Sequence, residues 1–244
     1  MRNCKIIIAL FAVILLMPIG VHAKVYLVSV GISDYPGYEN DLTLPTKDAQ
    51  TITWLYSKNT SLQYCQLLNN EATTERILAA MNKVYRMAGP NDIVVFFYSG
   101  HGYKGGFYVY DGELDYSEIR KMMAKSKCKN KMIFADACFS GKIRTDNGTT
   151  GQSMDATRKA NVMLFLSSRS NETSIERRDM NNGFFTTYLQ KGLRGGADAN
   201  RDRVITAKEL FKYVSKNVAG ISGDMQHPVM WGNFSDNMPV MKWK

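Results

Sequence analysis

The stretch Asp92-Ile93-Val94-Val95-Phe96-Phe97-Tyr98-Ser99-Gly100-His101-Gly102 sets the fold class. Its apolar residues run without a polar interruption, and a glycine-rich turn ends them. A half-exposed strand would alternate apolar with polar residues. An unbroken run of β-branched and aromatic residues instead fits a strand buried on both faces, as in parallel sheets. Three more stretches have this form. Residues 25–30 end at Gly31, residues 132–135 at Asp136, and residues 162–166 at Ser167. Weaker strands are expected at 64–68 and 228–231, and 107–112 reads as a small hairpin.

Between these runs the apolar residues recur at helical spacing. Residues 46–57 place Ala49, Ile52 and Leu55 on one stripe, and residues 73–87 do the same with Ile77, Met81, Val84 and Met87. Further helices are expected over 116–124, 184–193 and 206–218. Strand and helix in alternation mean an α/β fold, its parallel sheet built from right-handed crossovers. No internal repeat and no linker divides the chain, so residues 24–244 read as one domain. Residues 141–159 are polar and lack periodicity. Such a segment is longer than an ordinary connection and reads as a functional or cleavable loop.

Composition narrows the class. The chain has 244 residues, 45% hydrophobic and 22% charged. That excludes a disordered, collagen-like or multi-pass membrane protein. The net charge of +9 comes from scattered Lys and Arg, so no nucleic-acid arm is expected. Arg2 and Lys5 precede an apolar run that Pro18 and Gly20 break, and Val21-His22-Ala23 closes it. This is the layout of a secretory signal, and the run is short for a membrane-spanning helix. Residues 1–23 are therefore expected to be removed. The mature protein is expected to be secreted or periplasmic, with no membrane attachment. Cys65, Cys128 and Cys138 then remain. An odd count leaves one thiol free. Cys65 and Cys128 are expected to be bridged or packed apart, near strand starts and away from Cys138.

In open parallel sheets, sites form outside the carboxyl ends of the strands. Ser99-Gly100-His101-Gly102 comes directly after one strand, and Asp136-Ala137-Cys138-Phe139-Ser140-Gly141 after another. His101 and Cys138 thus emerge at one edge. The chain between them is long enough for a single crossover. A Cys beside a His is an activated nucleophile, because imidazole lowers the thiol pKa or takes its proton during attack. Flanking glycines let a substrate backbone approach, and free amides can face a developing oxyanion.

Taken together, these two motifs resemble the catalytic motifs of the caspase clan, and within it the metacaspase-like branch found in bacteria. Gly31-Ile32, Asp48-Ala49 and Gly183-Phe184-Phe185-Thr186 extend the resemblance over nearly the whole mature chain. It implies a three-layer sandwich, with a mostly parallel central sheet of about six strands flanked by helices. It implies a cysteine endopeptidase with a His101/Cys138 dyad and no third essential member. Its oxyanion donors would be the amides of Gly102 and Cys138. Phe139 stands where many metacaspases carry His.

Metacaspases cut after Arg or Lys with an acidic pocket, and Asp48, Ser99 and Asp136 match its positions. Two carboxylates in a narrow cleft suit a guanidinium or ammonium group, although both acids are also good capping residues. The expected substrates are proteins or peptides with basic residues. Caspases proper cut after Asp with arginines, and Arg169 keeps that alternative open. Its other reading is a salt bridge to Glu172 or Glu176. A non-catalytic caspase-like binding module is the alternative from another class, and the intact dyad argues against it. Cleavage after the catalytic cysteine is a common activation step in the clan. Lys142, Arg144, Arg158 and Lys159 make residues 141–159 a candidate for self-processing.

One further motif stands apart. Asp198, Asn200, Asp202, Val204, Thr206 and Glu209 occupy the ligand positions of an EF-hand-like loop, which makes calcium a candidate ligand. The dyad chemistry itself needs no cofactor. Arg203 replaces the glycine of the sharp turn, and Arg201 adds a second positive charge beside the ion position. A surface turn descended from such a loop is the competing reading.

Overall fold

The computed structural model describes residues 23–103, 105–137, 162–168 and 181–243. The bulk of the expected signal, Cys138, residues 141–159, Arg169, Glu172 and Glu176 lie outside the described residues. The chain runs β1 (Val25–Gly31), α1 (Pro45–Asn59), β2 (Leu62–Leu68), α2 (Thr74–Tyr85), β3 (Ile93–Ser99), β4 (Gly102–Tyr103), β5 (Gly106–Val109), β6 (Gly112–Asp115), α3 (Tyr116–Ala124), β7 (Asn130–Asp136) and β8 (Val162–Leu166). It continues through α4 (Phe184–Lys191), β9 (Val204–Thr206), α5 (Ala207–Ile221), β10 (Val229–Gly232) and β11 (Pro239–Lys242).

Six strands form the central sheet in the order β10-β8-β7-β3-β1-β2. All pairs are parallel except β10 with β8. Because side chains alternate across a strand, each apolar run feeds two cores. Val94, Phe96 and Tyr98 of β3 join the core under α2 and α3. Ile93, Val95 and Phe97 join the core under α1, α4 and α5. The two cores explain the unbroken apolar run of β3. The step from β1 to β2 goes one way along the sheet and the step from β2 to β3 goes back. Right-handed crossovers then put α1 and α2 on opposite faces. The direction changes at the β1/β3 pair, which opens a crevice at their carboxyl ends.

Most expected elements lie within a few residues of their predicted bounds, and the differences have local causes. Helix α4 stops at Lys191, short of residue 193, because the glycines of Gly192–Gly196 loosen the chain into a wider turn, with Gly195 at φ 114°. Strand β2 starts at Leu62, so Cys65 sits in mid-strand opposite Val28. The hairpin at 107–112 is larger than expected, with β4, β5 and β6 forming a small antiparallel sheet. The β9–β11 pair had no apolar run long enough to announce it. Cys65 and Cys128 are both free, the packed-apart outcome. Burial pushes the Cys128 thiol up to about 11, and its Sγ donates to Asp92 O at 2.9 Å. Among the described residues no helix is long and apolar enough to cross a membrane.

Phe165 of β8 ties the sheet to two helices. Its ring centroid lies 5.0 Å from Phe185, 5.6 Å from Phe211 and 6.2 Å from Phe134. Phe165→Ala is expected to cost about 3–5 kcal/mol of stability, the range for truncating a buried aromatic. Urea unfolding of the two proteins measures it.

Candidate active site

The register of the sheet brings the expected residues to one edge. Gly31 of β1 pairs with Ser99 of β3, and Ser99 pairs with Asp136 of β7. Gly100 N donates to Asp136 O at 3.2 Å, holding the turn after β3 against the end of β7. Gly100 has φ 154°. A Cβ there would stand 2.5 Å from Tyr35 Oη and 2.6 Å from Tyr98 Oη. Both the backbone and the space therefore require glycine before the histidine.

His101 is clamped from the loop between β1 and α1. Its ring Nε2 lies 2.8 Å from Asn40 O. A carbonyl only accepts, so Nε2 carries a hydrogen, and in the neutral ring Nδ1 is the nitrogen with the lone pair. Its amide donates to Tyr35 Oη at 2.9 Å, and the Tyr35 ring lies 4.9 Å from the imidazole. Tyr35 Oη in turn approaches Tyr108 O and Tyr98 Oη, each at 3.2 Å. Tyr98 Oη lies 2.6 Å from Tyr108 O and 2.9 Å from His101 O. Burial pushes the Tyr35 hydroxyl up to about 12, so it stays a neutral partner. Tyr35 and Asn40 were absent from the expected site. An aromatic and an amide in a polar loop carry no pattern of their own. Gly102 opens β4 beside His101 and pairs with Phe107.

The acidic pocket comes together more tightly than its sequence spacing suggests. Asp48 is 1% exposed and Asp136 6%. Asp48 Oδ2 accepts from Ser99 Oγ at 2.8 Å. Its Oδ1 accepts from Asn182 Nδ2 at 2.8 Å and from Gly183 N at 3.2 Å. Asp136 Oδ2 accepts from Thr186 Oγ1 at 2.8 Å and Thr186 N at 3.1 Å. Gly183 caps α4 without a side chain, so the two carboxylates face amides that the helix start leaves open. A Cβ on Gly183 would stand 2.6 Å from Asp136 Oδ2. Asp48 does not cap its own helix, whose cap position is Leu44. Burial, and then the charge of Asp136, hold the Asp48 carboxyl well above the usual carboxylate range despite its three donors. Asn182 is a pocket member that spacing did not reveal. Its only signal was its place beside the Gly183-Phe184-Phe185-Thr186 motif.

The EF-hand-like loop is folded on its own carboxylates. Asp198 accepts from Asp202 N and Arg203 N, and Asp202 accepts from Val204 N and Asn200 Nδ2. Glu209 completes a capping box with Thr206 and also accepts from Ala199 N. Val204 and Thr206 belong to β9. Among the described residues no three His, Cys, Asp or Glu side chains gather where they could hold a metal ion.

The caspase-domain family model matches residues 25–238, and the chain belongs to that family. Its members are cysteine endopeptidases. The fold agrees with solved structures. A protein from Geobacter sulfurreducens is 18% identical, with a TM-score of 0.64 over 89% of this chain and 97% of that one. Caspase-1 from Spodoptera frugiperda is 16% identical, with a TM-score of 0.64 over 91% of this chain and 92% of that one. At these identities the likeness is one of fold. No curated protein sequence matches the chain.

The clamp and the pocket each lead to a measurable outcome. Tyr35→Phe removes the acceptor of the His101 amide, and an unmet buried donor costs about 1–3 kcal/mol. Native-state hydrogen exchange should show the His101 amide opening faster, with no change at the Phe165 amide. In the pocket, the folded Asp48 carboxyl holds a proton at pH values where the unfolded chain, near 3.8, has lost it. The resulting penalty is absent below 3.8 and grows as pH rises through the raised folded value. Asp48→Asn keeps an acceptor for Asn182 and Gly183 and is expected to raise Tm at pH 8. The gain should be about 2–4 °C per kcal/mol relieved, and it should vanish at the acidic end of a melting series.

Proposed function

We propose that this caspase-family chain is a secreted or periplasmic endopeptidase that cuts after Arg or Lys, with Cys138 as nucleophile and His101 as acid and base. The observation carrying the basic preference is Asp48, buried beside a second carboxylate and met, among the described residues, by neutral donors only. A guanidinium or ammonium group entering there would relieve the repulsion between Asp48 and Asp136. It would also form charge-assisted hydrogen bonds. Arginine and lysine side chains are the natural occupants.

The chemistry depends on the tautomer. With Nε2–H donated to Asn40 O, Nδ1 is the nitrogen free to exchange a proton with the thiol. The thiolate attacks the scissile carbonyl, and the amides of Gly102 and Cys138 stabilise the oxyanion. The imidazolium then protonates the leaving amine. Water hydrolyses the thioester, with His101 as base. No cofactor takes part. Lys142, Arg144, Arg158 and Lys159 come after the nucleophile in sequence, and self-cleavage there fits the same pocket preference.

Reporter peptides ending in Arg, Lys and Asp test the reading. Cys138→Ala should abolish turnover of all three. Asp136→Ala should lower kcat/KM for the Arg reporter by roughly tenfold to a hundredfold, since a charge-assisted contact is worth about 1.5–3 kcal/mol. Arg turnover in the wild type should fall as pH drops through the raised value of Asp48, because protonation removes the carboxylate that holds the cation. A wild type that prefers the Asp reporter would move the specificity to Arg169.

A further inference from the structure

The EF-hand-like loop borders a cavity of opposite character to a calcium site. The cavity has a volume of about 490 Å³ and is lined by Arg194, Gly195, Asp198, Arg201, Arg203 and Trp243. That size falls within the range of small-molecule pockets. Three arginines and one aspartate line it, and that aspartate's carboxylate already accepts from Asp202 N and Arg203 N. Within the described residues none of the three guanidiniums has a hydrogen-bond or ion-pair partner.

The backbone of the loop is strained at two of these arginines. Arg201 and Arg203 have φ 61° and 66°, a left-handed conformation that residues with a Cβ avoid. Arg203 stands where the loop type calls for glycine. A charged side chain thus stands where glycine would be less strained, and Arg201 repeats the arrangement two positions earlier. Strain of this kind persists where the side chain serves a function. The Trp243 amide donates to Arg203 O at 3.3 Å, which fixes the apolar wall to the same turn.

We propose that this cavity binds a phosphate-bearing anion, so that a loop with the pattern of a cation site has become an anion site. Planar guanidiniums recognise phosphate by paired hydrogen bonds. Trp243 supplies an apolar wall for the group that carries the phosphate. A free phosphorylated small molecule and a phospholipid headgroup present the same chemistry.

Calorimetry on the full mature chain separates the cases, with inorganic pyrophosphate and calcium chloride titrated in turn. Sedimentation with phosphatidylcholine vesicles, with and without phosphatidic acid, forms the lipid arm. The expected result is saturable pyrophosphate binding that weakens with salt. Each of Arg201→Gly and Arg203→Gly should weaken it by roughly tenfold. Both variants should melt no lower than wild type, because glycine relieves the left-handed turn. Binding to phosphatidic acid vesicles with the same loss in the variants would assign the anion to a headgroup. Calcium binding without pyrophosphate or vesicle binding would overturn the proposal. So would anion binding that the two variants leave unchanged.

Discussion

The carboxylate of Asp48 joins three parts of the chain that are far apart in sequence. It accepts from Ser99 at the end of β3, from Asn182, and from the amide that opens α4, while itself riding in the first turn of α1. A buried acid leaves no acceptor oxygen idle without cost. Each of these donors is therefore bound to a particular place, and α1, β3 and α4 meet at one corner of the sheet. Asp136 repeats the arrangement one strand along through Thr186. The pocket is thus also a structural joint. Its charge crowding, which raises the Asp48 carboxyl, sits inside a packed fold.

The histidine is held by different means. Its turn is pinned to β7 through the Gly100 amide, and its ring and amide are gripped from the β1–α1 loop by Asn40 and Tyr35. Every partner in that clamp is neutral. The imidazole is thereby oriented by neutral groups among the described residues. The same crevice so contains two electrostatic regimes: a neutral clamp for the base and a negatively charged pocket.

Much of the fold was legible because burial on both faces leaves an unmistakable mark. Val25 to Val30, Ile93 to Tyr98 and Val162 to Leu166 are free of charged residues throughout for one reason, two cores on one sheet. The gathering of Ser99, His101 and Asp136 at one edge was legible because they follow strands, whereas Asp48 was singled out through the family resemblance. The short β9–β11 pair was illegible because its stability comes from where its partner lies. The wide turn after α4 was hidden for a related reason, since glycine spacing marks a break without giving its shape.

With Asp48 singled out only through the resemblance to the caspase clan, the sequence by itself determined the layered α/β class and the sheet edge where Ser99, His101 and Asp136 emerge. Periodicity and the residues at each strand's carboxyl end are enough for this, and both are local properties of the chain. Only the tertiary structure decided that Asn40 takes the Nε2 hydrogen, that Tyr35 holds the His101 amide, and that Asn182 completes the pocket of Asp48. It also decided that the loop carrying Arg203 curls its carboxylates onto its own amides and sets Arg201 and Arg203 in the lining of a cavity. Each of these pairings links residues by direction and distance across folded elements, and no residue type or spacing encodes direction.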